Sequence, residues 1–123
     1  MILSSGLFLA QNTIRVIGHR GSRGTMPENS ISGFKKAIED GADGIEWDVV
    51  VNGEGNLVIS HEPYFHHDFC LAPGGKSIAN EKLYNIYKMN QDDIETFDCG
   101  SKPHPEFPEQ QKKITRKPLL KDA

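Results

Sequence analysis

The sequence predicts an α/β fold built on a parallel sheet, and three observations carry that expectation. Short β-branched runs at 13–17, 44–50 and 56–61 read as strands. Between the first two, Ile31, Phe34, Ala37 and Ile38 recur at helical spacing. Strand, helix and strand then follow within one compact unit, the pattern that covers a parallel sheet with helices.

Residues 1–12 open apolar, from Met1 to Ala10, and turn polar at Gln11 and Asn12. The stretch is too short to cross a bilayer. It reads either as a signal-peptide remnant with Ala10 as the cleavage residue or as a loosely docked N-terminus. Against the first reading, a basic opening is missing and Phe8 is bulky where a small residue is wanted. A signal peptide would make the protein exported, periplasmic or secreted; a cytoplasmic protein is the alternative.

The first strand, 13–17, runs into Gly18-His19-Arg20-Gly21, where flanking glycines permit tight turns and close approach of a ligand. Ser22 to Glu28 is a polar loop, and Asn29 or Ser30 is placed to cap the helix that Gly41 stops. The second strand covers Gly44 to Val50. Asn52-Gly53-Glu54-Gly55 is a turn signal, and the third strand, Asn56 to His61, ends in a histidine. The short link allows a hairpin or a parallel return, and the parallel return is the expectation.

After His61 the texture changes. Residues 62–117 are first rich in aromatic side chains and histidine, then in proline and glycine, and read as an irregular excursion. A helix is expected from Asn80 through Met89 and a short turn within 91–97. Pro118-Leu119-Leu120 looks like the start of another helix. His66 and His67 are read as loop residues.

The 123 residues suit one modest domain. A formal net charge of -3 gives no support for a nucleic-acid surface, and no apolar stretch is long enough for stable membrane insertion. Two cysteines, Cys70 and Cys99, are too few for a disulfide scaffold and lack metal-site spacing. Unpaired thiols are the expectation, with a single bridge the alternative in an exported protein.

Glu46-Trp47-Asp48 carries the chemistry. A strand repeats every two residues, so both carboxylates face one side while Trp47 faces a helix. Like charges in an apolar strand need a shared proton, a basic neighbour such as Arg15, Arg20 or Arg23, or a metal ion.

Four motifs in order, His19-Arg20-Gly21, Pro27-Glu28-Asn29, Glu46-Trp47-Asp48 and His61, resemble the N-terminal part of a glycerophosphodiester phosphodiesterase. The resemblance runs from about Ile14 to Glu62. It implies the N-terminal portion of a (β/α)8 barrel, a fold typically of about 250 residues, with 62–117 as an insertion after the third strand within a partial domain at 13–123. It implies metal-dependent hydrolysis of a small-molecule glycerophosphodiester to glycerol 3-phosphate and an alcohol.

In that implied site Glu46 and Asp48 bind a divalent cation, Mg²⁺ or Ca²⁺, since oxygen ligands suit a hard ion. A third carboxylate would come from a strand beyond Ala123. His19 and His61 serve as general acid and base, in an order left open. Arg20 grips phosphate oxygens, and Glu28 stands at the rim of the substrate site. The alternatives are a phospholipase C- or D-like enzyme on intact lipid, and a non-catalytic phosphate- or metal-binding fragment. An open sheet exposes an edge and an apolar face, so residues 1–123 alone are expected to be unstable or inactive. Nothing in the sequence bears on oligomeric state.

Overall fold

The computed structural model describes residues 14–123, so the expected signal-peptide remnant lies outside the described residues. Strand β1 (Ile17–His19) pairs in parallel with β2 (Gly44–Glu46), which sets His19 directly opposite Glu46. Helix α1 (Ile31–Glu39) makes the crossover. The Ser30 hydroxyl caps it by accepting from the Gly33 amide at 3.0 Å. Phe34 and Ala37 bury their side chains beneath it. Gly41, at φ 88°, takes the left-handed conformation just past its end. The first unit therefore follows the sequence pattern, with the strand ladder beginning at Ile17.

The expected second and third strands are corrected. The run 44–50 is interrupted at Trp47-Asp48, which separates β2 from β3 (Val49–Val51). Strand β3 folds back on β4 (Leu57–Ile59) as an antiparallel hairpin, Val49 opposite Ile59 and Val51 opposite Leu57, in place of the expected parallel return. The cause is local. The Asn52 side-chain oxygen accepts from the amides of Glu54 and Asn56 at 3.0 and 2.9 Å. Its backbone amide donates to the Asn56 carbonyl, so the link closes as a tight turn.

Residues 62–117 carry more order than the expected excursion. They form the hairpin β5 (Leu71–Ala72) and β6 (Lys76–Ser77), and helix α2 (Gln91–Ile94). The helix expected from Asn80 to Met89 is instead two 3-10 turns, Glu81–Tyr84 and Ile86–Lys88, because Asn85 between them is extended and caps the second. Pro118-Leu119-Leu120 leads into a third such turn, Leu120–Asp122.

The larger hydrophobic core sits here. Phe65, Phe69, Ile78, Ile86, Ile94 and Phe97 pack with Val58 of β4 and Leu119. The rings of Phe65 and Phe97 stack at 3.8 Å. Cys70 and Cys99 are joined by a disulfide across this core, which corrects the expectation of unpaired thiols. The chain leaves from β4 and returns to it: the Ile59 amide donates to the Pro118 carbonyl at 2.8 Å, and Val58 bridges Leu119.

The bridge closes a loop with a sequence separation of 29, and loop closure of that order stabilises by about 3.6 kcal/mol. Replacing Cys70 and Cys99 together by serine lowers the urea midpoint of the protein accordingly. Reductant produces the same loss in the wild type and none in the variant.

Candidate active site

The site is assembled around Arg20, directly after β1. Its guanidinium is buried and its backbone takes a left-handed conformation, φ 54°, with Gly21 following at φ 84°. A Cβ at Gly21 would stand 2.7 Å from the Gly33 backbone, so only glycine lets the turn lie this close to α1. The turn aims three groups of Arg20 at three carboxylates. Its Nη1 donates to Glu28 Oε1 at 2.9 Å, its Nε lies 3.3 Å from Asp48 Oδ2, and its backbone amide donates to Glu46 Oε2 at 3.1 Å. The Nε contact is a charge contact without hydrogen-bond geometry.

Glu46 and Asp48 therefore do face one site, although not inside a buried strand. Asp48 lies past the end of β2, and the two side chains are 44% and 26% exposed. Asn29, also left-handed at φ 50°, donates to Asp48 Oδ2 at 3.0 Å. Trp47 turns the other way and packs on Phe34 of α1, with ring centroids 5.4 Å apart, as strand alternation predicts. His19 Nε2 lies 3.8 Å from Glu46 Oε2.

His61 follows β4. It stands beside the group through its neighbour, since the Ser60 amide donates to the Asp48 carbonyl at 3.0 Å. Its Nδ1 lies 2.6 Å from Glu62 Oε1. His19, Arg20, Glu28, Glu46 and Asp48 are thus joined by direct contacts, and His61 is placed alongside by the backbone.

Sequence reasoning named Arg23 only as a neighbour for Glu46 or Asp48, and missed the support behind these residues. Arg23 pairs with Glu28 Oε2, completing a two-arginine clamp on one buried carboxylate. His104, buried and stacked on Phe69 at 4.8 Å, points its Nε2 at Glu28 Oε2 from 3.7 Å. Its Nδ1 accepts from the Glu106 amide, which leaves the ring proton on Nε2. Lys117 is buried and donates to Ser60 Oγ at 2.7 Å. His104 and Lys117 lie in a proline-spaced stretch with no periodicity to mark an inward face, so only the fold reveals them.

Charge and burial act together here. Burial lowers the His104 imidazole, and the charge of Glu28 only partly opposes it. Burial alone would raise the Glu28 carboxyl; Arg23 and Arg20 outweigh it and hold that carboxyl below its ordinary 4.5. His66 and His67, read as loop residues, gather with Glu81 into a second cluster of metal-capable donors. There Glu81 Oε1 accepts from both the amide and Nδ1 of His67, at 2.7 and 2.6 Å.

A family model described as the glycerophosphoryl diester phosphodiesterase family matches residues 19–123. The glycerophosphodiester phosphodiesterase of Caldanaerobacter subterraneus subsp. tengcongensis is 53% identical over an alignment covering 60% of this chain and 38% of that protein. A crystal structure from Silicibacter pomeroyi bearing the same family name superposes with a TM-score of 0.82 at 29% identity, covering 89% of this chain and 39% of that one. An Oleispira antarctica phosphodiesterase, solved in complex with the product sn-glycerol-3-phosphate, superposes with a TM-score of 0.63 at 28% identity, covering 87% of this chain and 37% of that one. This chain spans well under half the length of these relatives.

The Glu28 carboxyl is held lower in the folded protein than in the unfolded chain, so its contribution is complete above 4.5 and is lost as pH falls below that value. Urea unfolding followed from pH 6 to pH 3 gives a falling midpoint in the wild type. In Glu28→Gln the midpoint is lower at pH 6 and that part of its acid dependence is gone.

Proposed function

Because the chain belongs to the glycerophosphoryl diester phosphodiesterase family, we propose that it forms the N-terminal part of a (β/α)8 barrel that hydrolyses glycerophosphodiesters to glycerol 3-phosphate and an alcohol. The observation that carries this reading is the meeting of Arg20, Glu46, Asp48 and His19 at the ends of a parallel strand pair, with His61 alongside. Barrels of this class place their chemistry at that end of their strands.

The substrate carries a negative phosphodiester, so positive charge must be presented to it. Arg20 does so from a fixed position, because Glu28 and Asp48 hold its fork in place. Glu46 and Asp48 suit a divalent cation. Each has one carboxylate oxygen engaged by Arg20, while Glu46 Oε1 and Asp48 Oδ1 make no hydrogen bond among the described residues. An all-oxygen donor set selects a hard ion, Mg²⁺ or Ca²⁺. Bound there, it would neutralise the carboxylates and polarise the phosphoryl oxygens.

His19 and His61 divide the proton transfers. One takes the proton of the attacking glycerol hydroxyl while the other protonates the departing alkoxide, leaving a cyclic phosphate. Water opens that ring with the roles reversed. Glu28, buried behind Arg20, holds that guanidinium in place rather than standing at the rim of the substrate site.

Export of the protein is part of the reading, since a buried disulfide persists in an oxidising compartment. No helix among the described residues is long and apolar enough to cross a membrane.

The test uses the full-length protein with glycerophosphocholine. Turnover is expected to stop with chelator and to return with Mg²⁺ or Ca²⁺. His19→Ala and His61→Ala each lower kcat by about 10²–10⁴-fold. Glu46→Gln with Asp48→Asn abolishes metal-dependent turnover. Hydrolysis indifferent to chelator and retained in that double variant refutes the metal-assisted reaction.

A further inference from the structure

We propose that Glu62 and Lys117, the two ends of the 62–117 segment, act together as positioning residues that fix the orientation and tautomer of His61. The proposal rests on the reading of His61 as an acid/base group. Glu62 Oε1 stands 2.6 Å from His61 Nδ1. An ionised carboxylate only accepts, so this contact puts the ring proton on Nδ1 and leaves Nε2 as the free acceptor. That is the nitrogen able to exchange a proton with substrate or water.

The other Glu62 oxygen, Oε2, is buried and has no hydrogen-bond partner among the described residues. Lys117 stands behind it without a direct ion pair and reaches Glu62 through Ser60. The Lys117 amine is buried, donates to Ser60 Oγ at 2.7 Å and lies 5.5 Å over the Phe65 ring. Ser60 Oγ in turn donates to the Glu62 backbone carbonyl at 2.6 Å. An ammonium has three donors, and the serine occupies one. Burial pushes the Lys117 amine down to about 8, and Glu62 is foremost among the groups opposing that shift.

Backbone geometry holds the pair in register. The bond from the Ile59 amide to the Pro118 carbonyl fixes Lys117 against the end of β4, two residues from His61. A lysine buried as packing alone would carry a desolvation cost that methionine avoids. Its hydrogen bond to Ser60, whose hydroxyl holds the Glu62 carbonyl, ties that charge to the residue beside His61. The excursion thereby begins and ends on the residues that orient one catalytic ring.

The experiment uses the full-length protein, with ¹⁵N-labelled histidine to read the His61 ring and steady-state kinetics on glycerophosphocholine. In the neutral ring of the wild type the proton is expected on Nδ1. In Glu62→Leu and in Lys117→Met the Nδ1-protonated form loses its dominance, and kcat falls about 10-fold or more while KM changes by less than about 2-fold. Glu62→Asp restores most of the turnover and the tautomer. The double variant is no worse than the weaker single one, because both act through one ring. Wild-type tautomer and kcat in Lys117→Met, with only the unfolding midpoint lowered, overturn the proposal. If Lys117→Met does not fold, unchanged tautomer and kcat in Glu62→Leu overturn it equally. The ring signals need no turnover: a tautomer that depends on Glu62 and Lys117 in a protein inert toward glycerophosphodiesters overturns the substrate reading and upholds this one.

Discussion

One buried guanidinium organises the site. Arg20 contacts Glu28 and Asp48 through its side chain and Glu46 through its backbone amide. These carboxylates come from a loop, from the end of β2 and from the residue pair after it. No single element could bring them together. The left-handed backbone at Arg20 makes all three contacts from one residue, and non-glycine residues rarely adopt that conformation without compensation. The compensation is visible: Arg23 and His104 hold the far side of Glu28, and Asn29 holds Asp48. Local backbone strain is thus balanced by a shell of charge and hydrogen bonds around it.

The 62–117 segment supplies much of that shell. Its own core and disulfide make it rigid, and it sends buried groups back to the site at two places. His104 reaches Glu28, and Lys117 reaches Ser60. Gln110 Nε2 donates to the Arg23 carbonyl at 2.6 Å, and the Gln111 amide to the Thr25 carbonyl at 2.9 Å, which ties the proline-spaced chain to the loop carrying Arg23. Positions on a rigid support hold catalytic geometry better than a free loop can. The smaller β1–β2 unit, which leaves Ile17 and Trp47 partly exposed, is tied to this neighbour through Glu28 and Arg23.

What the sequence made legible follows from the range of each interaction. The α1 cap, its apolar stripe and its glycine stop are local, and Ser30, Phe34 and Gly41 carried them plainly. The facing of Glu46 and Asp48 was readable from alternation, and Trp47 packed where alternation sent it. The hairpin was missed because the short link permits either direction, and the two Asn52 side-chain hydrogen bonds that close it leave only a generic turn signal in sequence. The Cys70–Cys99 pair depends on a fold formed 29 residues apart. His104 and Lys117 act across even longer separations, in a stretch without periodicity. Only Glu62 offered a nearby sign, an acidic residue directly after a histidine at a strand end.

The distribution of charge then separates a compensated interior from an exposed acidic pair. Arg20, Arg23 and Lys117 all lie on the buried side, each against a carboxylate or hydroxyl. Glu28, 5% exposed, is neutralised there by two guanidinium groups. Glu46 and Asp48 are the exposed members, and among the described residues only Arg20 reaches both. Excess negative charge therefore collects at the mouth, where solvent and ions have access, while the interior is compensated by protein cations. Filling the mouth with further lysine or arginine would bury the carboxylates in permanent ion pairs and close the site. Under the proposed function, an exchangeable cation at the mouth would keep these oxygens available and turn repulsion of a phosphodiester into attraction. The same separation distinguishes the cations: Arg23 and Lys117 stand against the buried Glu28 and Ser60, while Arg20 joins that side to the exposed Glu46 and Asp48.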